Sequence, residues 1–182
     1  MRRKTFDGIL TVLGALVTVI LVGAGSLLLW GANYTSSEVH NQLASQKISF
    51  PAANSAEIKA LPKADAAVMK QYAGQLMTTG AQAEAYADHF IAVHLHDIGL
   101  TYAQASTLAR SNPTDTKYAA LVDTVFKGTT LRSELLEAYG FSVFGTIAWI
   151  SSLVAYSLAA VFLLLTVLGV VHWRKVSPTA EI

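Results

Sequence analysis

Three of the five histidines in this 182-residue chain fall in one stretch, AYADHFIAVHLHDIG (residues 85–99), together with two aspartates. Imidazole and carboxylate groups at that density suit ligation of a metal ion, or titration close to neutral pH as a sensor. On a helix each residue turns about 100°. Ala83, Ala87, Phe90, Ile91, Leu95 and Ile98 then share one broad apolar face, and His94 lies within it. His89 and His96 lie elsewhere, stacked seven residues apart. Metal-binding pairs on one helix sit at i, i+3 or i, i+4, and among the His/Asp pairs only His94 with Asp97 meets that test. The metal-ligand candidates are therefore His94, Asp97, His89 and His96, and they need further ligands from another helix, such as His40 or Glu38. The plainer expectation puts His89 and His96 on a solvated or helix-packing face, with His94 partly buried and hydrogen-bonded. His94→Ala would then cost about 1 kcal/mol, and His89 and His96 would be dispensable.

What those side chains do depends on the elements that hold them, and on which side of a membrane they stand. Hydrophobic residues make up 53% of the chain and charged ones 14%. No charged residue occurs from Gly8 to Gly31, or from Tyr139 to Trp173. About 20 apolar residues cross a bilayer as a helix, and inside hydrocarbon only a helix or a closed barrel satisfies its own backbone. Two transmembrane helices are expected. The first follows the basic start Met1-Arg2-Arg3-Lys4 and is too long for a signal-peptide core, with no A-x-A site after it, so it reads as a signal anchor. Arg2, Arg3 and Lys4 before the first span, and Arg174 and Lys175 after the second, put both termini in the cytoplasm. The expected organisation is a cytoplasmic tail 1–7, a span 8–31, an extracytoplasmic helical domain 32–138, a second span with an outward extension 139–173, and a cytoplasmic tail 174–182. Trp30 and Trp149 then share the outer interface, and Trp173 marks the inner one. The net charge of +1 reflects this topology, with eight basic and ten acidic residues left in the loop, and nothing points to nucleic acid.

The loop reads as an all-α bundle. Thr35 with Glu38, Thr79 with Gln82, and Thr101 with Gln104 have the capping-box spacing of helix starts. Asn112 before Pro113 is a fourth start and Gly128 a stop. These signals predict helices over 35–46, 64–77, 80–98, 102–111, 114–127 and 130–173, with a proline-containing loop at 47–63 and a short break around Gly31–Ser36. No internal repeat stands out. The helices on either side of the loop are expected to pack as stalks continuous with the spans, so that a fragment 33–138 would fold poorly.

Other chemistry is thinly represented. The chain has no cysteine, which removes thiol catalysis, zinc thiolates and iron–sulfur clusters. No phosphate loop, G-x-S-x-G elbow or Ser-x-x-Lys occurs. His172 is the sole histidine of the spans and has no partner at its depth for a haem. No cofactor is expected. The second span carries a stripe of small residues, Ala148, Ser152, Ala155 and Ala159, which would let another helix approach closely, either the first span or a partner. The first span offers Gly14 with Thr18, and Ala15 with Gly23.

The stretches VHNQLASQKISFP (39–51) and GQLMTTGAQAEAYADHFIAVHL (74–95), set between two spans, resemble a group of uncharacterised actinobacterial two-span membrane proteins. Some members are labelled aromatic ring-opening dioxygenases. That activity needs a non-haem iron held by convergent His and carboxylate ligands, which the spacing here does not supply. The resemblance implies topology and a bacterial source and transfers no site residue. The expected function is non-enzymatic: a structural, accessory or assembly factor in the lipid bilayer, whose external domain meets an envelope protein or a second copy of itself. The alternative is an extracytoplasmic ligand, metal or pH sensor, or a metal-dependent enzyme, working through the helix over 80–98.

Overall fold

The computed structural model describes residues 2–177. Helix makes up 84% of it, and no strand occurs among the described residues. In chain order the elements are α1 (Arg3–Gln46), α2 (Ala56–Ala60), α3 (Lys63–Gln71), α4 (Gly80–Tyr86), a π-helical turn (Ala87–Ile91), α5 (Ala92–Ile98), α6 (Tyr102–Ser111) and α7 (Thr116–Lys175). They form two compact units. One comprises Met1–Tyr34 with Phe144–Ile182, the other Thr35–Val143.

The first unit is a pair of helices, each long and apolar enough to cross a membrane. On α1, positions 7, 11, 14, 18, 21, 25, 28 and 32 are buried or half-buried. On α7, positions 145, 148, 152, 155, 159, 162, 166 and 169 are too. Steps of three and four residues are the heptad seam of two helices packed at a shallow angle. Small side chains in the seam let the backbones close in. A methyl group at Gly14 would lie 2.7 Å from Thr166 Oγ1, and one at Gly169 would lie 2.8 Å from Thr11 Oγ1. These contacts are reciprocal because the same tetrapeptide, Thr-Val-Leu-Gly, stands at 11–14 and at 166–169. Antiparallel packing sets each threonine over the other copy's glycine, a short repeat overlooked at the level of sequence. Farther along, a methyl group at Gly25 would lie 3.3 Å from the Tyr156 ring, and the Tyr156 hydroxyl hydrogen-bonds Ser26 Oγ at 2.9 Å. Ser152, Ala155 and Ala159 are buried in this seam and Ala148 is half-buried. Ala15 and Gly23 face outward instead.

The second unit packs around Leu43, Phe50, Ile58, Met69, Met77, Ala83, Ala87 and Leu135, with Val39, Leu61, Ala66 and Ile91 beside them. Its local signals divide by kind. The capping boxes at Thr79 and Thr101 are both formed. That of Thr35 and Glu38 is not a start, because α1 runs unbroken from Arg3 to Gln46. One interior glycine costs a helix only about 1 kcal/mol, and at Gly31 the burial of Ala32, Val39 and Leu43 along one continuing face outweighs it. Gly128 is not a stop for a related reason. A methyl group there would lie 2.9 Å from Leu95 Cδ2, so this glycine admits α5 against α7. The expected helices 114–127 and 130–173 are therefore one. Nor does Asn112-Pro113 start it. Asn112 ends α6, and the Asp115 carboxylate accepts from Lys117 N at 2.9 Å, capping α7 from a later position.

Two smaller differences lie in the loop. Residues 47–63 contain α2, whose start is capped by Ser55. The helix expected over 64–77 ends at Gln71, and the chain after it pairs with the segment behind α1: Met77 N donates to Ile48 O at 2.8 Å and Phe50 N to Gln75 O at 2.9 Å. Gly74 takes φ +72° to turn the chain into that pairing, a left-handed conformation in which a Cβ is strained.

Candidate functional site

The histidine-bearing segment is held at its front by Gln82. The Gln82 side-chain oxygen accepts from Thr78 N at 2.7 Å and Thr79 N at 3.1 Å, and its amide donates to Gln75 Oε1 at 3.0 Å. A buried polar side chain so fully paired fixes α4 in one position. Gly99, at φ +70°, closes α5. Between them, Ala87–Ile91 forms a π-turn, a local widening equivalent to one inserted residue and frequent at functional sites.

The turn sends two consecutive polar residues to different helices. His89 Nδ1 lies 2.7 Å from Asp65 Oδ1 on α3, with side chains 31% and 22% exposed. Asp88 Oδ1 accepts from Arg132 Nη2 on α7 at 2.6 Å. Arg132 Nε is buried without a hydrogen-bond partner. Behind this layer Tyr72, Phe50, Tyr86, Phe90 and His94 form a continuous ring row, with centroids 4.5 to 5.3 Å apart. Burial pushes the Tyr86 phenol above its usual pKa. At the start of α2, a hydrogen bond from its own backbone amide, and then Ser55, hold the Glu57 carboxyl below the usual range. An open groove of about 590 Å³ runs between α5, α6 and α7, lined by Leu95, His96, Gly99, Tyr102, Val125 and Arg132 among others.

The four metal-ligand candidates are dispersed. His94 is exposed rather than partly buried; its Nδ1 donates to Phe90 O at 2.7 Å and its ring lies tilted against the Phe90 ring, 4.5 Å between centroids. The apolar face itself holds on both sides of the π-turn, since Ile91 is buried and Phe90 and Leu95 pack on the core, while His94 stands outside it over the Phe90 ring. His96 lies 4.0 Å from Asp97, both largely exposed. His40 is exposed. Among the described residues no three His, Asp or Glu side chains converge as a metal site would require. The partners overlooked in the sequence are Asp65 and Arg132. Their one visible cue was a charge set next to apolar neighbours, as Arg132 is to Leu131 and Leu135.

Chemically, the arrangement ties α3 and α7 to the two sides of the π-turn. The expected order of histidine effects is thereby reversed. His89→Ala and Asp65→Ala should each lower stability by about 1 kcal/mol, while His94→Ala and His96→Ala stay within about 0.5 kcal/mol of the parent. Thermal unfolding of the four variants in one mild detergent checks this, and an unchanged midpoint for His89→Ala would count against the tie.

No family model, no curated protein and no solved structure matches the chain.

Proposed function

We propose that this chain is a two-span protein of a bacterial cytoplasmic membrane, with both termini in the cytoplasm and residues 32–138 on the outer side. It acts without catalysis, as a structural, accessory or assembly factor whose external helical unit contacts an envelope partner. One observation carries the membrane part. In the most apolar windows of α1 and α7, only 6% and 11% of residues are buried. Leu10, Val19, Leu27, Phe144, Leu158 and Leu164 stand exposed around both helices. Such a surface is far larger than the apolar patches of soluble monomers and calls for lipid. Arg2, Arg3 and Lys4 before the first span, and Arg174 and Lys175 after the second, support the orientation. For the partner, the support is the exposed aromatic pair Tyr102–Phe126, 5.7 Å between centroids, beside the groove at Arg132. Exposed aromatics beside an arginine are enriched in interface cores.

Orientation is tested with a reporter active only in the cytoplasm. It should work at either terminus and fail when inserted near Asn54. Activity at Asn54 with silence at both ends would overturn the proposed topology.

A further inference from the structure

Within the helix pair, a cleft of about 510 Å³ runs beside the seam. Asp7 and His172 stand at one end, Val17 and Phe162 at the other, and leucines from both helices form the walls. Its volume is that of a small-molecule site. Asp7 Oδ2 is buried and has no hydrogen-bond partner. Its ion-pair partner, His172 Nε2, is 3.5 Å away on a side chain 53% exposed. A carboxylate oxygen removed from water gains little from so long a pairing, so the mouth of the cleft has use for a closer donor.

We propose that this cleft holds one acyl chain of a phospholipid with an amine headgroup, whose ammonium donates to Asp7. The proposal rests on the membrane reading above. Its length favours a lipid over a partner helix. From position 7 to 17 an α-helix rises about 15 Å, half of the roughly 30 Å hydrocarbon core, which is the depth of one leaflet. Beyond that depth the seam closes on buried Ser152, Ala155 and Ala159, leaving no continuation for a helix that must cross both leaflets. Charge fixes the headgroup. Lys4, whose ammonium lies 5.7 Å from the Trp173 ring centre, shares this end of the unit with Arg3 and Arg174 and suits a lipid phosphate, while Asp7 suits an ammonium. A glycerol headgroup offers Asp7 no positive charge.

The test uses the full chain, reconstituted in bilayer discs of equal parts phosphatidylethanolamine and phosphatidylglycerol, then released into mild detergent and weighed intact by native mass spectrometry. The expected result is one retained phosphatidylethanolamine per chain. Retention should fall about tenfold in Asp7→Asn, the size of effect expected for one charged hydrogen bond. It should vanish in Leu13→Trp, which fills the cleft. Equal retention of the two lipids, undiminished phosphatidylethanolamine on Asp7→Asn, or a dimer in place of bound lipid would each overturn the proposal. A chain released to the aqueous phase by alkaline carbonate would overturn the membrane reading and this proposal together, whereas an embedded chain without lipid preference overturns this proposal alone.

Discussion

Leu135→Ala should cost the second unit about 2–5 kcal/mol, the range for truncating a fully buried leucine. Leu135 is 0% exposed and projects from α7 into the cluster formed by Leu43, Phe50, Ile58 and Met69. Those neighbours come from α1, α2, α3 and the segment between α1 and α2, so a cavity at Leu135 loosens all of these at once. The neighbourhood is already closely fitted. A methyl group on Gly80 would lie 3.2 Å from Tyr139 Cα, one turn along the same helix, and such contacts resist the collapse that would refill the hole. Amide exchange reads the effect: protection in α4 and in the Met77–Ile48 pairing should fall together, because they share this core. Phe126→Ala is the matched control. Its ring is 53% exposed on the same helix, and its removal should stay within about 0.5 kcal/mol. Equal, small losses for both variants would mean that the cluster around Leu135 does not hold the unit together.

How much of this was legible beforehand depended on whether a signal was local. The two long apolar helices could be read because a run without charge needs no partner to be recognised. The caps at Thr79 and Thr101 could be read because both halves of the motif lie within four residues. The same logic failed at Gly31, Gly128 and Thr35–Glu38, where a local stop or start signal competes with a long buried face and loses by about 1 kcal/mol or more. It failed again for the polar ties. Asp65 is 24 residues from His89, and Asp88 is 44 from Arg132, distances over which spacing says nothing. The small-residue stripe on α7 could be seen, but not what lies against it. The reciprocal Thr-Val-Leu-Gly contacts needed the antiparallel register to acquire a meaning. For the histidines, the apolar face was legible through Phe90, Ile91 and Leu95, but nothing in the residue types announces the π-turn or the exposure of His94.

That turn is the basis of the other large effect expected. Deleting Ala87 removes the extra residue, and the segment from Gly80 to Ile98 can then run as one α-helix. Local hydrogen bonding is no worse, since the π-turn is the rarer conformation. The cost is tertiary. With one residue fewer, α4 and α5 can no longer both keep their faces; one must turn by about 100°. If α4 turns, Gln82 leaves the Thr78–Thr79 amides that it satisfies, and Ala83 and Ala85 leave the core. If α5 turns, Leu95 leaves the space that Gly128 provides. In either case His89 and Asp88 cannot both reach Asp65 and Arg132, and Arg132, with Nε already unpartnered, loses its remaining carboxylate. A lost core face together with a broken charged pair should lower stability on the order of 3 kcal/mol, more than any single histidine substitution. The double variant Asp88→Ala with Arg132→Ala separates the contributions: it removes the tie but keeps the register, and should cost about 1 kcal/mol. A deletion that melts with the parent would show that α4 and α5 are free to turn, and that the inserted residue positions nothing.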